Sequence, residues 1–379
     1  MKRLLSLLFL VLPTACGFLP QRPSDIQQAV WVNRWDYKTE SDVRTIVRNC
    51  ARAGFDTIFF QVRGQGTVLY ASQIEPWSEE FGFHYPGYDP LDVACDEASR
   101  NGIAVHAWVN LLPAWKGVKP PSINNQLYHT HPGWFLYDQN GKRQPLSDHY
   151  VILNPCLPEV RKYLTRICKE LVTRYPIQGL HLDYIRFVGV TDAGPDYPRD
   201  ARTVALYKKA TGLEPQENRE KWSQWKTDQV TRLVSDIRSM VKRSAPTKLL
   251  TAAVFRPARA PQVHQDWPGW LAKGKVDAVF PMLYTENAGT FREYLGDIVE
   301  ATKKKDRVFP GIGVYKQADP KETLEQISSV ESMGFPGYAL YAYNSFFRSK
   351  APVEALEKKD PDLRVRRREA LVTRPRKNW

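Results

Sequence analysis

The chain has 379 residues, of which 42% are hydrophobic and 25% charged, and its net charge at pH 7 is +13. This composition excludes a disordered or collagen-like chain, and the length suits one barrel of parallel strands, typically about 250 residues, with insertions. The seven histidines are scattered and none of the five cysteines lies in a CxxC pair. The sequence therefore predicts no metal site and no cofactor.

The N-terminal residues have the pattern of an export signal. A charged start is followed by an apolar run at residues 4–12, which is too short to span a bilayer. The residues before Cys16 resemble the lipobox of bacterial lipoproteins, with Pro13 in the position where that pattern prefers leucine. We therefore expect a signal peptide at residues 1–16, a linker at residues 17–26, and an exported lipoprotein of the bacterial cell envelope that a lipid on Cys16 anchors to the membrane.

From residue 29 onward, strand patterns alternate with helix patterns. Eight apolar or mixed runs have the character of buried strands: residues 29–35, 57–63, 103–110, 179–187, 249–255, 278–284, 308–315 and 338–346. Amphipathic stretches lie between them: residues 41–53, 91–101, 158–175, 222–244, 290–305 and 320–333, with a weaker helix at 267–275. Eight strand and helix repeats predict an α/β fold, a single-domain (β/α)8 TIM barrel over residues 27–347.

Two connections in this pattern are unusually long. Residues 64–91 follow the second predicted strand and residues 111–158 follow the third. Loops of this length are usually functional, and both leave the carboxyl ends of strands. We expect them to wall the active face of the barrel.

The fourth predicted strand ends in an acid. An apolar run from Gly179 closes on Asp183, although aspartate is a poor strand former and is costly to bury unpaired. The carboxyl ends of barrel strands form the active face, so Asp183 is predicted to be catalytic. The alternative is a structural partner of Arg186 or Arg63.

An ordered series of motifs resembles the glycosyl-hydrolase-like family ten proteins of bacteria. The motifs are FQVR at 60–63, YAS at 70–72, EPWS at 75–78, YDPL at 88–91, GIAVHAWVN at 102–110, HPGW at 131–134 and LNPCLPEVR at 153–161. Together with the Asp183 strand they extend the resemblance over roughly residues 27–347. The resemblance implies a (β/α)8 barrel and a glycosidase that acts on cell-wall glycans. Many relatives carry two consecutive acids in the fourth strand, where this chain has Asp183 followed by Tyr184.

Hydrolysis of a glycoside takes two carboxyl groups. The best partner for Asp183 is Glu286, just past the sixth predicted strand, because the fourth and sixth strands lie close together around a barrel. Several retaining glycosidase families use such a pair, so we interpret Asp183 as the nucleophile and Glu286 as the acid/base. The alternative for Glu286 is a solvated acid that caps the following helix, and Asp266 and Glu75 compete for its role. Asp277 begins the sixth strand at the opposite face and is predicted to be structural.

Polar and aromatic residues near strand ends are expected to bind the sugar. The candidates are Arg63, Asn110, Trp134, Arg186, Arg256, Tyr284 and Asn344. Buried hydrogen-bonding groups at strand ends need partners, and sugar hydroxyls provide them. Trp108 and Trp115 are further candidates for stacking on a sugar, and Trp108, which lies inside a strand, also suits the core.

Basic runs close the chain. Arginines cluster at residues 364–368 and again at 373–377, within a predicted basic tail at 348–379. Such runs are usually solvated ends, and the alternative is attraction to an anionic polymer or membrane surface. No recognition motif for nucleic acid is present, so none is expected as a partner. The sequence predicts a glycoside hydrolase acting on a polysaccharide, with peptidoglycan glycan strands as the leading substrate and a non-catalytic glycan-binding barrel as the alternative.

Overall fold

The protein is described by a computed structural model over residues 20–188 and 196–375. The strands are β1 (Gln28–Val32), β2 (Thr57–Arg63), β3 (Ala104–Asn110), β4 (Pro113–Gly117), β5 (Ser147–Ile152), β6 (Gly179–Asp183), β7 (Leu249–Val254), β8 (Ala278–Pro281), β9 (Gly311–Gly313) and β10 (Tyr338–Tyr341). The helices are α1 (Glu40–Arg52), α2 (Pro90–Asn101), α3 (Leu127–Thr130), α4 (Pro158–Arg174), α5 (Ala201–Thr211), α6 (Arg219–Ser244), α7 (Trp267–Ala272), α8 (Ala288–Ala301), α9 (Pro320–Ser332), α10 (Ala355–Lys359) and α11 (Leu363–Thr373). The predicted signal peptide and Cys16 lie outside the described residues.

Eight parallel strands form one sheet in the order β8-β7-β6-β3-β2-β1-β10-β9. Between the two edge strands, single parallel bridges join Val279 to Val308 and Met282 to Gly311, so the sheet nearly closes on itself. Seven of these strands lie within runs that the sequence assigned to strands, and β1 begins one residue before its predicted run. The predicted single-domain (β/α)8 barrel is confirmed.

The interior of the barrel is packed with rings. The Phe59 and His181 rings stack with centroids 3.9 Å apart, and the indole Nε1–H of Trp31 donates to Nε2 of His181 at 3.1 Å. Burial lowers the pKa of His181 well below its usual value, so the imidazole is neutral and can accept this bond. A filled interior closes the floor beneath the carboxyl ends of the strands, where barrel enzymes bind their ligands.

The longer outer helices bury one face each, and most of them begin at a residue whose side chain caps the first turn. In α1 the buried side chains are Val43, Ile46, Val47 and Cys50, a spacing that places them on one side of a helix. Its first turn is capped by Thr39, whose side chain accepts the backbone N–H of Asp42. Among the described residues, no helix has the length and apolar character needed to cross a membrane.

The long connection after β3 contains structure that the sequence analysis did not predict. β4 and β5 form an antiparallel pair, and Tyr150 of β5 reaches the carboxyl end of the barrel. The connection thus walls that end, as expected from its length.

The C-terminal residues correct the prediction of a solvated basic end. Leu363 and Leu371 of α11 are buried, and the Arg367 guanidinium is 3.0 Å from the carboxylate of Glu357, with both side chains almost fully buried. Glu357 also pairs with Arg364 at 2.7 Å. The carboxylate of Glu357 therefore joins α11 to α10, and the donation of Arg364 and Arg367 to the carbonyls of Asn344 and Ser345 holds α11 against the end of the barrel.

Candidate active site

A cavity of about 610 Å³ lies at the carboxyl ends of the barrel strands. Its walls are rich in aromatic rings: Trp31, Trp35, Trp108, Tyr150, Tyr184, Phe255, Tyr284, Tyr294, Tyr315 and Tyr341. A larger groove of about 1120 Å³ runs along α1 and α11 and contains no residue of a barrel strand. Catalytic groups of barrels lie at the strand ends, so the smaller cavity is the candidate active site.

Asp183, the last residue of β6, is the one carboxylic acid among the described residues that line this cavity. Its Oδ1 accepts the backbone N–H of Tyr184 at 2.6 Å, and its Oδ2 accepts the indole Nε1–H of Trp108 at 3.2 Å. Burial raises the pKa of Asp183, whereas the charge of Arg186 and the two hydrogen bonds act to lower it. The site thus holds the carboxylate in place with three groups that favour its ionised form.

The backbone turns sharply directly after Asp183. Tyr184 has a φ of +49°, in the left-handed region that aromatic residues rarely adopt. Ile185 and Phe187 turn back into the core, while Tyr184 and Arg186 line the cavity. Strained backbone of this kind concentrates at functional sites, and here it places one aromatic and one cationic side chain beside the acid.

Tyr341 is the centre of the aromatic wall. Its ring stacks on Tyr284 at a centroid distance of 5.3 Å and lies 5.9 Å from Tyr315 and 6.5 Å from Trp108. Burial raises the pKa of Tyr341, so its phenol keeps its proton at neutral pH, and this phenol donates to Oδ1 of Asn33 at 3.0 Å. The wall offers flat apolar faces with polar tips, which suits the stacking and hydrogen bonding of a sugar ring.

Amide side chains also line the cavity, and one of them has an oxygen without a partner among the described residues. Asn110, at the end of β3, lines it with a buried Oδ1 that has no hydrogen-bond partner in the described structure. This amide oxygen is able to accept a hydrogen bond from a sugar hydroxyl. Gln61 and Asn33 add further amides to the same side of the wall.

The comparisons with known proteins agree with a carbohydrate-active barrel. Residues 27–321 match the family described as Glycosyl hydrolase-like 10. The chain belongs to this family. It is 28% identical over 296 residues to the protein named Glycosyl hydrolase DigH of Escherichia coli (strain K12), which covers 72% of this chain and 65% of that protein. The protein named Glycosyl hydrolase YngK of Bacillus subtilis (strain 168) is 23% identical over 375 residues, covering 86% of this chain and 69% of that one.

This glycosyl hydrolase-like 10 chain therefore spans about two thirds of the length of the curated relatives it matches. Among solved structures, a GH42 β-galactosidase from G. stearothermophilus superposes with a TM-score of 0.62 at 15% identity, over 93% of this chain and 58% of that one. At this identity the likeness shows the fold alone, which is a TIM barrel.

Five of the site residues predicted from the sequence lie in the same cavity. Asp183, Asn110, Arg186, Arg256 and Tyr284 all line the cavity. Trp108, predicted either to stack on a sugar or to sit in the core, is buried, lines the cavity and donates to Asp183. The residues that the sequence placed near these strand ends therefore line one cavity.

Arg63 and Glu75 are not part of that site. The Arg63 guanidinium is fully buried and pairs with Glu75, with N···O distances of 2.7 and 2.8 Å. It also donates to the carbonyl oxygens of Leu111 and Pro113. The predicted sugar contact of Arg63 is corrected to a structural role, since its donors tie the loop after β2 to the segment after β3. Glu75 is equally occupied and does not line the cavity.

Trp134 and Asn344 also lie outside the cavity. Trp134 packs on the ring of Tyr163 at 5.2 Å and on His131 at 3.9 Å. Asn344 is buried, and its carbonyl oxygen accepts from Arg364 at 2.7 Å. Their predicted sugar contacts are replaced by packing within the protein, because neither residue points into the space at the strand ends.

The remaining acids have distinct positions. Glu286 lies on the loop after β8, with an exposed side chain that does not line the cavity, and Asn287 rather than Glu286 caps α8. Asp266 caps α7 by accepting the N–H of Gly269. Asp277 pairs with Arg238 at 2.7 Å, so its predicted structural role is confirmed.

Several lining residues were absent from the sequence analysis. Tyr341 ends the eighth strand and Gln61 lies within the second, so their positions near strand ends were available as a signal. Arg259 follows Arg256 by one helical turn in the loop after β7. Tyr150 gave no signal, because the connection that carries it was predicted only as a loop.

Proposed function

We propose that this protein is a glycoside hydrolase that cleaves a polysaccharide bound at the carboxyl end of its barrel, with Asp183 as the nucleophile. The observation that carries the proposal is the position of Asp183. It ends β6 in the cavity and accepts two hydrogen bonds that favour the ionised form. A nucleophilic carboxylate needs this state, and the aromatic wall beside it is suited to hold the sugar.

In the proposed reaction, Asp183 attacks the anomeric carbon and forms a covalent glycosyl-enzyme, which water then hydrolyses with retained configuration. A second carboxyl must protonate the departing oxygen. We assign this role to Glu286, which follows cavity-lining Tyr284 by two residues. The assignment requires the exposed loop to bring the Glu286 carboxyl within about 5 to 10 Å of Asp183 when a glycan is bound.

The proposed substrate is the glycan strand of peptidoglycan. The supporting features are the family, the aromatic cavity, and the net charge of +13, which favours approach to an anionic envelope polymer. We also propose that the protein is exported and anchored to a membrane through a lipid on Cys16. Cys16→Ala should then move it from the membrane to the soluble fraction, and unchanged fractionation would contradict the anchor.

Asp183→Asn tests the catalytic centre. The amide is nearly isosteric but a poor nucleophile, so turnover of purified, peptide-free cell-wall glycans should fall on the order of 10³-fold or more. Product masses give the readout. Asp148→Asn is the matched control, because the Asp148 side chain is 84% exposed and lies outside the cavity. A folded Asp183→Asn protein with more than about a tenth of the wild-type rate would refute the assignment.

Glu286→Gln tests the second carboxyl. If Glu286 donates the proton, the variant should cleave substrates with good leaving groups nearly normally and lose about 10² to 10⁴-fold on sugar leaving groups. Equal losses on both would indicate a binding role instead.

The second candidate function is a glycan-binding barrel without catalysis. The observation in its favour is that Asp183 is the single acid among the described lining residues, whereas glycosidases need two carboxyl groups. Glycan binding by the wild type with no product formed would support this candidate.

A further inference from the structure

Positive charge gathers on one side of the candidate active site. Arg186 follows β6, Arg256 and Arg259 follow β7, and Lys316 follows β9, and all four line the cavity. β6, β7, β8 and β9 are consecutive around the barrel, so these residues occupy one arc of the wall. We call them the cationic arc.

The other side of the wall carries no cation among the described lining residues. The loops and strand ends of β1, β2 and β3 contribute the amides of Asn33, Gln61 and Asn110, together with aromatic rings. Asp183, on β6, lies at the boundary between the two sides. With four cations and one acid, the described wall carries a formal charge of +3.

The cationic arc has few counter-ions within the described protein. Arg259 and Lys316 form no ion pair with any described residue. The Arg256 guanidinium lies 3.9 Å from Asp297, and both side chains are more than a third exposed, which makes this a weak pair. Four like charges therefore lie near one another with only the charge of Asp183 and the weak pair to Asp297, among the described residues, to offset them, an arrangement that costs stability unless an external anion joins them.

Arg186 shows how the arc is held in place. Its guanidinium lies 4.3 Å from the ring centroids of both Tyr184 and Phe255, and its buried Nε has no hydrogen-bond partner in the described structure. Arg259 contacts the same Phe255 ring at 4.5 Å. Stacking fixes the planes of these groups. The guanidinium of Arg186 also hydrogen-bonds the Tyr184 side chain, and its unpartnered Nε–H can donate to a carboxylate.

The two loops that carry these arginines are joined by hydrogen bonds. The backbone N–H of Phe187 donates to the carbonyl of Val263 at 3.0 Å, and the N–H of Phe255 donates to Oε1 of Gln265 at 2.8 Å. The arc is therefore preorganised by the loops after β6 and β7.

We propose that the cationic arc is a subsite for a carboxylate on the substrate, so that the sugar unit beside the scissile bond carries an acid group. The inference rests on the proposed function, because it places the acid sugar in the site of cleavage. Recognition from one side also sets the direction of the glycan, since the carboxylate must face β6 to β9 while neutral hydroxyls face the amides of β1 to β3.

The test uses one oligosaccharide in two forms, with free carboxyl groups and with the same groups converted to neutral amides. Charge-assisted hydrogen bonds contribute about 1.5–3 kcal/mol, so the wild type should show kcat/KM about 10 to 100-fold higher on the acid form. Arg259→Gln should lose about tenfold in its preference for the acid form over the amide form. Arg259→Lys should recover part of the loss.

Arg292→Gln serves as the matched control, because Arg292 is exposed on α8 and lies outside the cavity. Equal rates of the wild type on both forms would overturn the carboxylate subsite while leaving the role of Asp183 intact. Preference for a phosphate ester over the carboxylate in a third substrate would also overturn it.

If the wild type cleaves neither form, the proposed function fails, and calorimetry with the two oligosaccharides still decides the subsite. Tighter binding of the acid form, lost in Arg259→Gln, would support it. Equal affinities would overturn it.

Discussion

The protein contains two kinds of enclosed arginine. Comparing them distinguishes arginines that stabilise the fold from arginines that are available to bind a ligand. Arg63 and Arg367 are fully buried and pair with Glu75 and Glu357 at 2.7 and 3.0 Å. Arg186, which is also largely enclosed, has aromatic faces on both sides and forms no ion pair with any described residue. Burial alone does not distinguish the two kinds. The distinguishing feature is whether a carboxylate bonds the guanidinium directly. Arg63 and Arg367 have such a partner, whereas Arg186 interacts with Asp183 only through space, so its donors can meet a ligand.

The largest expected effect comes from breaking a structural pair. Glu75→Gln should lower the free energy of unfolding by about 3–5 kcal/mol, because it leaves the buried Arg63 guanidinium without its counter-ion. Denaturant unfolding gives the measurement, with the exposed Asp148→Asn as the control. A loss below about 1 kcal/mol would mean that the carbonyl oxygens around Arg63 suffice, and the comparison would then fail for this arginine.

A smaller effect is expected on the titration of Asp183, the proposed nucleophile. Arg186 acts to lower the pKa of Asp183, so Arg186→Gln should raise that pKa further. A nucleophile must be ionised, so a higher pKa means a smaller active fraction at low pH. The acidic limb of kcat/KM should therefore move to higher pH, measured on a neutral substrate to keep the carboxylate subsite out of the comparison. A limb that stays in place or moves down would show that Arg186 does not act on Asp183.

The smallest effect is expected on the stability of the cationic arc. Arg259→Gln should change the free energy of unfolding by no more than about 0.5 kcal/mol, because Arg259 is exposed and has no ion pair with a described residue to lose. Removing its charge also relieves repulsion with Arg186, whose pKa it acts to lower. Destabilisation by more than about 1.5 kcal/mol would place Arg259 with the structural arginines.

The positions of the strands and of the principal acid could be predicted because both are local properties of the sequence. A strand buried on both faces is a short apolar run, and β2 begins and ends where that run does. Asp183 stands out because it is an acid at the end of such an apolar run. Asp277 stands out because it is an acid at the start of another apolar run. No continuous apolar run marked β4 and β5, because buried residues are mixed with exposed ones in these two strands.

The partner of each arginine could not be predicted in this way. Arg63 and Arg186 both lie at or just after the end of a strand, and both were expected to bind sugar. The fold gives Arg63 the carboxylate of Glu75 and gives Arg186 only aromatic rings and the influence of Asp183. The choice depends on how the long loop after β2 folds back, which no periodic pattern encodes.

The sequence by itself determined the barrel, because alternating apolar periods specify strands and helices one segment at a time. Only the tertiary structure decided which side chains share the cavity, because closing the ring pairs β1 with β10 through Gln28 and Tyr338, some three hundred residues apart. That closure brings Tyr341 between Trp108 and Tyr284. It also sets Lys316 in the same wall as Arg186. Charges neutralise one another when they are close in space, however far apart they lie in the sequence. The contrast between paired and unpaired arginines therefore exists only in the folded protein.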